Sequence, residues 1–199
     1  MVIRNGELKE VLSLSEVEAI EFKGYGKLEA FHTSGGTSTL TESYAHVNTL
    51  EYKTIRYEGH AENFQLLVDL GLLSRTHEVT VDGKTLKVRD VMREHLSPQL
   101  RLGDKSDAVL LRVIVSGEKA GASLTYEYDL VTEKDTANHI TAMARVTANT
   151  VSIVAQMIGS GIISKRGVYP PEKIVPGERY IEALKQRGVV IEELEILGA

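Results

Sequence analysis

The chain has 199 residues, 42% of them hydrophobic, which is enough for one sizeable core near the upper end of single-domain size. Twenty-eight acidic residues against 23 basic ones give a formal net charge of −5, and no basic stripe stands out, so nucleic acid is not an expected partner. The absence of cysteine removes disulfides, thiolate nucleophiles and Cys-ligated zinc. Apolar runs such as AVLLRVIV stop well short of the ~20 residues of a membrane span, and the first residues lack a secretory h-region. A soluble, cytoplasmic protein is the expectation.

Asn5-Gly6 lies between short alternating runs and predicts a two-residue hairpin. Residues 17–32 alternate apolar and polar around Gly24 and Gly26, which predicts a second antiparallel pair. The stretch TSGGTSTLTESY then turns polar and glycine-rich, as a loop opening a short helix with a Ser or Thr cap would. HVNTLEYKTIRY reads as another strand. HAENFQLLVDLGLL reads as a helix with Phe64, Leu67, Val68 and Leu72 inward, closed by Gly71. The segment TIRYEGHAENF therefore sits on a strand-to-helix corner, a place where free backbone N–H groups can face an anion.

A hairpin follows around Asp82-Gly83, then a short helix VRDVMREHL stopped by Pro98. AVLLRVIVSG and ASLTYEYDLV, joined by GEKAG, form the strongest β pattern and are expected to be long, central and paired. Ile140, Met143, Val146, Ile153 and Met157 recur at helical spacing and predict the longest helix. After the proline-punctuated KRGVYPPEKIVPG, a helix ERYIEALKQRG and a strand VVIEELEIL close the chain. Because the strands mostly arrive in hairpins, the fold class expected is α+β, with a mixed, largely antiparallel sheet covered by helices. The main domain is expected over residues 1–175, with 176–199 as a separate closing αβ unit.

The chemistry is sparse. GYGKLE and GSGIIS both fail as dinucleotide fingerprints, since the first runs on into a strand and the second follows a helix; no phosphate loop is present. His32, His46, His60, His77, His95 and His139 show no metal-ligating spacing, and there is no G-x-S-x-G elbow. Glu94-His95 reads as a solvated helix face. Two places stand out. HTSGGTST, with Ser34, Gly35 and Ser38, has a composition suited to a backbone cradle for a carboxylate or phosphate, or equally to a polar loop with a helix cap. RYEGH offers Arg56 as a bidentate carboxylate partner and His60 as a group that titrates near neutral pH; an ordinary surface ion pair is the alternative for Arg56.

VIRNGELKEVLSLSEVEAIEF, LEAFHTSGGTSTL, TIRYEGHAENFQLLVDLGLL, MARVTANT and GVYPPE, in that order, resemble the second domain of the saccharopine dehydrogenase family, in its L-lysine 6-dehydrogenase branch. The resemblance implies a saccharopine reductase-like fold, similar to the C-terminal domain of glyceraldehyde-3-phosphate dehydrogenase. It implies the substrate-binding and dimerising half of an NAD(P)-dependent amino-acid dehydrogenase, inactive alone, with the Rossmann half expected to precede Met1. A saccharopine-type substrate domain and a non-catalytic amino-acid-binding or dimerisation module are the alternatives. By the same resemblance Arg56 is the candidate for the substrate carboxylate and His60, the histidine of the family's R-[YW]-P-G-H stretch, for proton carrier or polar orienter. Glu58 replaces the proline common there. Ser34, Gly35 and Ser38 match the cleft-facing loop, and Thr147 matches the R-V-T motif of the long helix, where a helix-packing threonine is the alternative. The implied partners are an amino acid such as lysine or saccharopine, a second copy of the chain and the nucleotide-binding half; no metal, cofactor, nucleic acid or membrane is expected to bind this chain itself. Ile181, Leu184, Val190 and Leu194 are expected to lack their usual cover, and so to be partly exposed, swapped or buried in a dimer.

Overall fold

The computed structural model describes residues 1–197, and the chain divides into two compact units, residues 1–101 and 102–199. In the first, β1 (Val2–Arg4) and β2 (Glu7–Lys9) form the hairpin predicted at Asn5-Gly6, with both turn residues at positive φ (54° and 73°) as a type I′ turn requires. β3 (Glu18–Phe22) and β4 (Gly26–Phe31) form the second antiparallel pair. The loop after β4 leads into a short helix α1 (Leu40–Ser43); its N-cap Thr39 is in the αR region and makes no side-chain cap bond, against the expected hydroxyl cap.

The single strand expected over HVNTLEYKTIRY is two, β5 (Thr49–Leu50) and β6 (Thr54–Tyr57), which join different sheets. β5 pairs with β1, and β6 pairs with β4, giving three-stranded sheets of order β2-β1-β5 and β3-β4-β6. α2 (His60–Asp69) follows at once. Gly71, at φ 71°, closes it as predicted: its N–H bonds to the Val68 carbonyl, and the Leu72 N–H bonds to that of Leu67. Phe64, Leu67 and Leu72 are half-buried, but Val68 is exposed, because the ten-residue helix covers only a narrow part of the sheet. The hairpin β7 (Glu78–Val81) and β8 (Lys84–Lys87) turns at Asp82-Gly83, and α3 (Val88–Leu96) follows. The buried apolar residues of this unit include Val2, Ile3, Phe22, Leu28, Ala30, Phe31 and Ala61.

In the second unit, β9 (Ala108–Lys119) and β10 (Ala122–Glu133) are the long paired strands predicted, although their turn is only Ala120-Gly121, both at positive φ, and the strands absorb most of GEKAG. They are not both central. The sheet order is β11-β10-β9, so β9 is an edge strand. The longest helix, α4 (Ala142–Gly159), begins after Ile140. Ile153 and Met157 are buried in the core and Val146 packs against it, whereas Ile140 and Met143 are exposed: the Thr141 side chain and Asp107 cap the helix at its first turn, which leaves Ile140 outside it. α5 (Pro171–Ile174) and α6 (Gly177–Lys185) lead to β11 (Ile191–Leu197).

The closing helix and strand belong to the second unit, and for Leu184 this corrects the expectation of missing cover. β11 pairs with β10 from Leu130↔Ile191 onward, and Leu184 (2% exposed) and Val189 sit in the same core as Leu130, Ile153, Met157 and Ile163. The Thr150 and Tyr180 hydroxyls bond at 2.6 Å, and Arg187 donates to the Asn149 carbonyl and to Gln156. The boundary expected at 175/176 thus falls inside the second unit. Ile181, Val190 and Leu194 are exposed, but Leu184 is not; residues 198–199 of the expected tail lie outside the described residues. Every strand pairing among the described residues is antiparallel, and the strands form four small sheets instead of one, consistent with α+β.

Candidate functional site

Period-two alternation in β4 assigns Leu28 and Ala30 to the core and Glu29 to solvent. In the structure β4 is the middle strand of its sheet and is buried on both faces, and Glu29 is only 7% exposed. Its carboxylate accepts the Gly59 N–H (2.9 Å) and the Ala61 N–H (2.6 Å), the first donors of α2. A helix N-terminus carries partial positive charge and unpaired N–H groups. Here a carboxylate from a distant strand takes the Gly59 and Ala61 donors, so those two are not available to an incoming anion.

The side chains of the same corner remain. Glu29 pairs with Arg56 across the strands and Phe31 with Thr54, so all four lie on one sheet face. His60, the first residue of α2, stacks over that face: its ring lies 5.8 Å from Phe31 and 4.4 Å from Phe64, both nearly parallel. Burial first, then the nearby Arg56 guanidinium, hold the His60 pKa below its ordinary value, while Glu29 works against them. The neutral imidazole is therefore the favoured form near pH 7. Arg56 is exposed, donates to the Ile55 carbonyl (2.7 Å), and forms no ion pair among the described residues.

Ser34, Gly35 and Ser38 are exposed on the loop after β4, and no described hydrogen bond links them to Arg56 or His60. The loop is fastened from beneath. Thr33 and Thr54 share a hydroxyl bond of 2.7 Å, which ties its start to the Arg56 strand; buried Thr37 donates to the Met1 carbonyl; and Gly36 lies so close to the Tyr52 ring that a Cβ would come within 1.7 Å of it. Thr147 is exposed on α4 in the second unit, which does not support a packing role for it.

Sequence reasoning missed a second polar cluster in the first unit. Arg4 donates to the carboxylates of Glu16 and Glu51 and lies 3.3 Å from Nε2 of His32, which is 1% exposed. His32 Nδ1 meets the Tyr52 carbonyl at 3.1 Å, so that nitrogen donates there, and Nε2 lies against both Arg4 and the Glu16 carboxylate, the latter at 3.4 Å. The Arg4 hydrogen bond holds the Glu16 carboxyl at about 2, well below the usual range, and Lys53 reaches both the Glu16 carbonyl and the Glu18 carboxylate. One signal for His32 was present, since it continues the inward parity of Leu28 and Ala30. Nothing local marked its partners. Among the described residues no group of three or more His, Asp or Glu is placed to hold a metal ion.

The family model of the saccharopine dehydrogenase C-terminal domain matches residues 1–189. The chain belongs to that family. It is thus a substrate-binding domain of the dehydrogenase family, and the match spans Arg56, His60, the Ser34–Ser38 loop and Thr147 alike. Among the described residues no helix is long and apolar enough to cross a membrane.

Proposed function

We propose that the chain is the substrate-binding and dimerising half of an NAD(P)-dependent amino-acid dehydrogenase of the L-lysine 6-dehydrogenase kind, with Arg56 holding the substrate carboxylate and His60 acting on the amine proton. The observation that carries this reading is the placement of an exposed arginine without an ion pair beside a half-buried, predominantly neutral imidazole on one sheet face, in a chain of this family. A guanidinium gives a carboxylate two parallel donors, and a neutral imidazole can accept the proton that an alkylammonium must lose before its carbon is oxidised. In this reading Ser34, Gly35 and Ser38, on the loop where Thr37 donates to the Met1 carbonyl and Gly36 abuts the Tyr52 ring, are further substrate-binding candidates, as is Thr147 in the second unit.

The N-termini of α2 and α4, the kind of site that holds a pyrophosphate, have donors taken by Glu29 and by Asp107 with Thr141. In this reading the cofactor belongs to a separate nucleotide-binding half, and the chain alone is inactive. The exposed apolar residues of β9, among them Ile114 at 59%, favour a homodimer, and the lack of cysteine fits a cytoplasmic location. The fold expected for such a half is the saccharopine reductase-like one.

The test is calorimetry of the 199-residue chain against L-lysine, saccharopine and NAD, with Arg56→Ala as control. Binding of lysine or saccharopine that is lost in the variant supports the reading and picks the substrate. Binding of NAD, or amino-acid binding unaffected by Arg56→Ala, overturns it.

A further inference from the structure

Two charged groups bear on His60, one from each strand it packs against. Arg56, on β6, disfavours the imidazolium, and Glu29, on β4, favours it. These two are not equally free to change. The Glu29 carboxylate is fixed by the Gly59 and Ala61 N–H groups, which flank His60, whereas the Arg56 guanidinium bonds only to a neighbouring carbonyl on its exposed side. An anion that docks on Arg56 cancels its charge where His60 feels it, and leaves Glu29 as the one charged group acting on the ring, against its burial. The stacking of His60 between Phe31 and Phe64 holds the ring at this corner while that happens.

We propose that docking of a substrate carboxylate on Arg56 strengthens His60 as a base, so that the imidazole takes up a proton more readily when the acid end of the substrate is in place. This rests on the reading of Arg56 given above and goes beyond it: the carboxylate is then a chemical signal as well as a handle. A simple amine lacking the carboxylate meets a weaker base, which discriminates against it at the proton-transfer step as well as in binding. The step is a proton transfer: the N–H bond of the substrate ammonium, or an O–H bond of the solvent acid, breaks, a ring N–H bond forms, and the donor keeps its electron pair.

The experiment is an NMR titration of the His60 ring in the 199-residue chain, assigned with His60→Gln, with calorimetry in two buffers of different ionisation heat. The probes are L-lysine, L-norleucine (the same carboxylate without the ε-amine) and cadaverine (the diamine without the carboxylate). The proposal expects norleucine and lysine, but not cadaverine, to move the His60 titration upward, with proton uptake on binding and an affinity about fivefold higher below the titration than above it, the low end of ordinary coupling between sites. In Arg56→Gln the titration starts higher and no longer responds. Heat of norleucine binding with no movement of His60 overturns the coupling and leaves the carboxylate grip standing; absence of both heat and movement overturns the two together. An Arg56→Gln titration that coincides with the parent's overturns the coupling regardless of ligand.

Discussion

Glu29→Ala isolates the device that closes the strand-to-helix corner. The carboxylate satisfies two helix-opening donors, one on a residue 2% exposed (Ala61) and one on the half-buried Gly59. Leaving the buried Ala61 N–H without a partner costs about 1–3 kcal/mol, and the Gly59 N–H, which water can reach, roughly 0.5–1.5 kcal/mol. The loss is then about 2–4 kcal/mol, and for a chain of this length ~2–4 °C in Tm per kcal/mol makes it roughly 4–16 °C. Glu29→Gln retains one acceptor but not the charge facing the helix dipole, so about 1–2 kcal/mol is expected. Thermal unfolding followed by circular dichroism reads the global effect, and hydrogen exchange at the Ala61 amide reads the local one. A Glu29→Ala chain that melts within about a degree of the parent, with Ala61 exchange unchanged, would refute the trans cap.

Gly36→Ala forces a methyl into the Tyr52 ring and is expected to destabilise the loop. Adding Tyr52→Ala should recover part of the loss, and strictly additive unfolding energies in that double-mutant cycle would exclude the contact. Leu184→Ala removes a side chain from the core of the second unit and should cost about 2–5 kcal/mol by urea unfolding; an effect below about 1 kcal/mol would mean that the closing helix is not part of that core. Glu16, with its folded pKa near 2 against 4.5 ordinarily, contributes stability that is present above about pH 4.5 and lost as the pH falls toward 2. The midpoint denaturant concentration should fall across that window, and less steeply in Glu16→Gln.

Most elements were legible because their signals are local. Asn5-Gly6 and Asp82-Gly83 need φ > 0 at both turn positions, and Gly71 ends α2 for a similar reason; no distant residue alters those choices. What could not be read depends on partners far along the chain. Glu29 looks like a solvent-facing strand residue until α2 is placed over it, and β9 looks as central as β10 until β11 takes one side of β10 and leaves β9 at the edge. The candidate site divides in the same way. Arg56 and His60 stand where the motif and the corner placed them, but two of the corner's backbone donors are taken by a carboxylate thirty positions upstream. The Arg4, Glu16, Glu51 and His32 cluster draws on four separate segments, none with a recognisable signature.

The pairing of β10 with β11 also sets an order of events during synthesis. The β9–β10 hairpin can close as soon as Glu133 has left the ribosome, but the other edge of β10 waits for Ile191 and the residues after it, and the Leu184 and Val189 side chains that complete the core arrive only just before. Through that interval the twelve-residue β10 stands open on the edge away from β9, exposed to pairing with other nascent chains. The second unit therefore completes its core late, and a chain cut short before β11 should be recovered as aggregate instead of as a smaller domain.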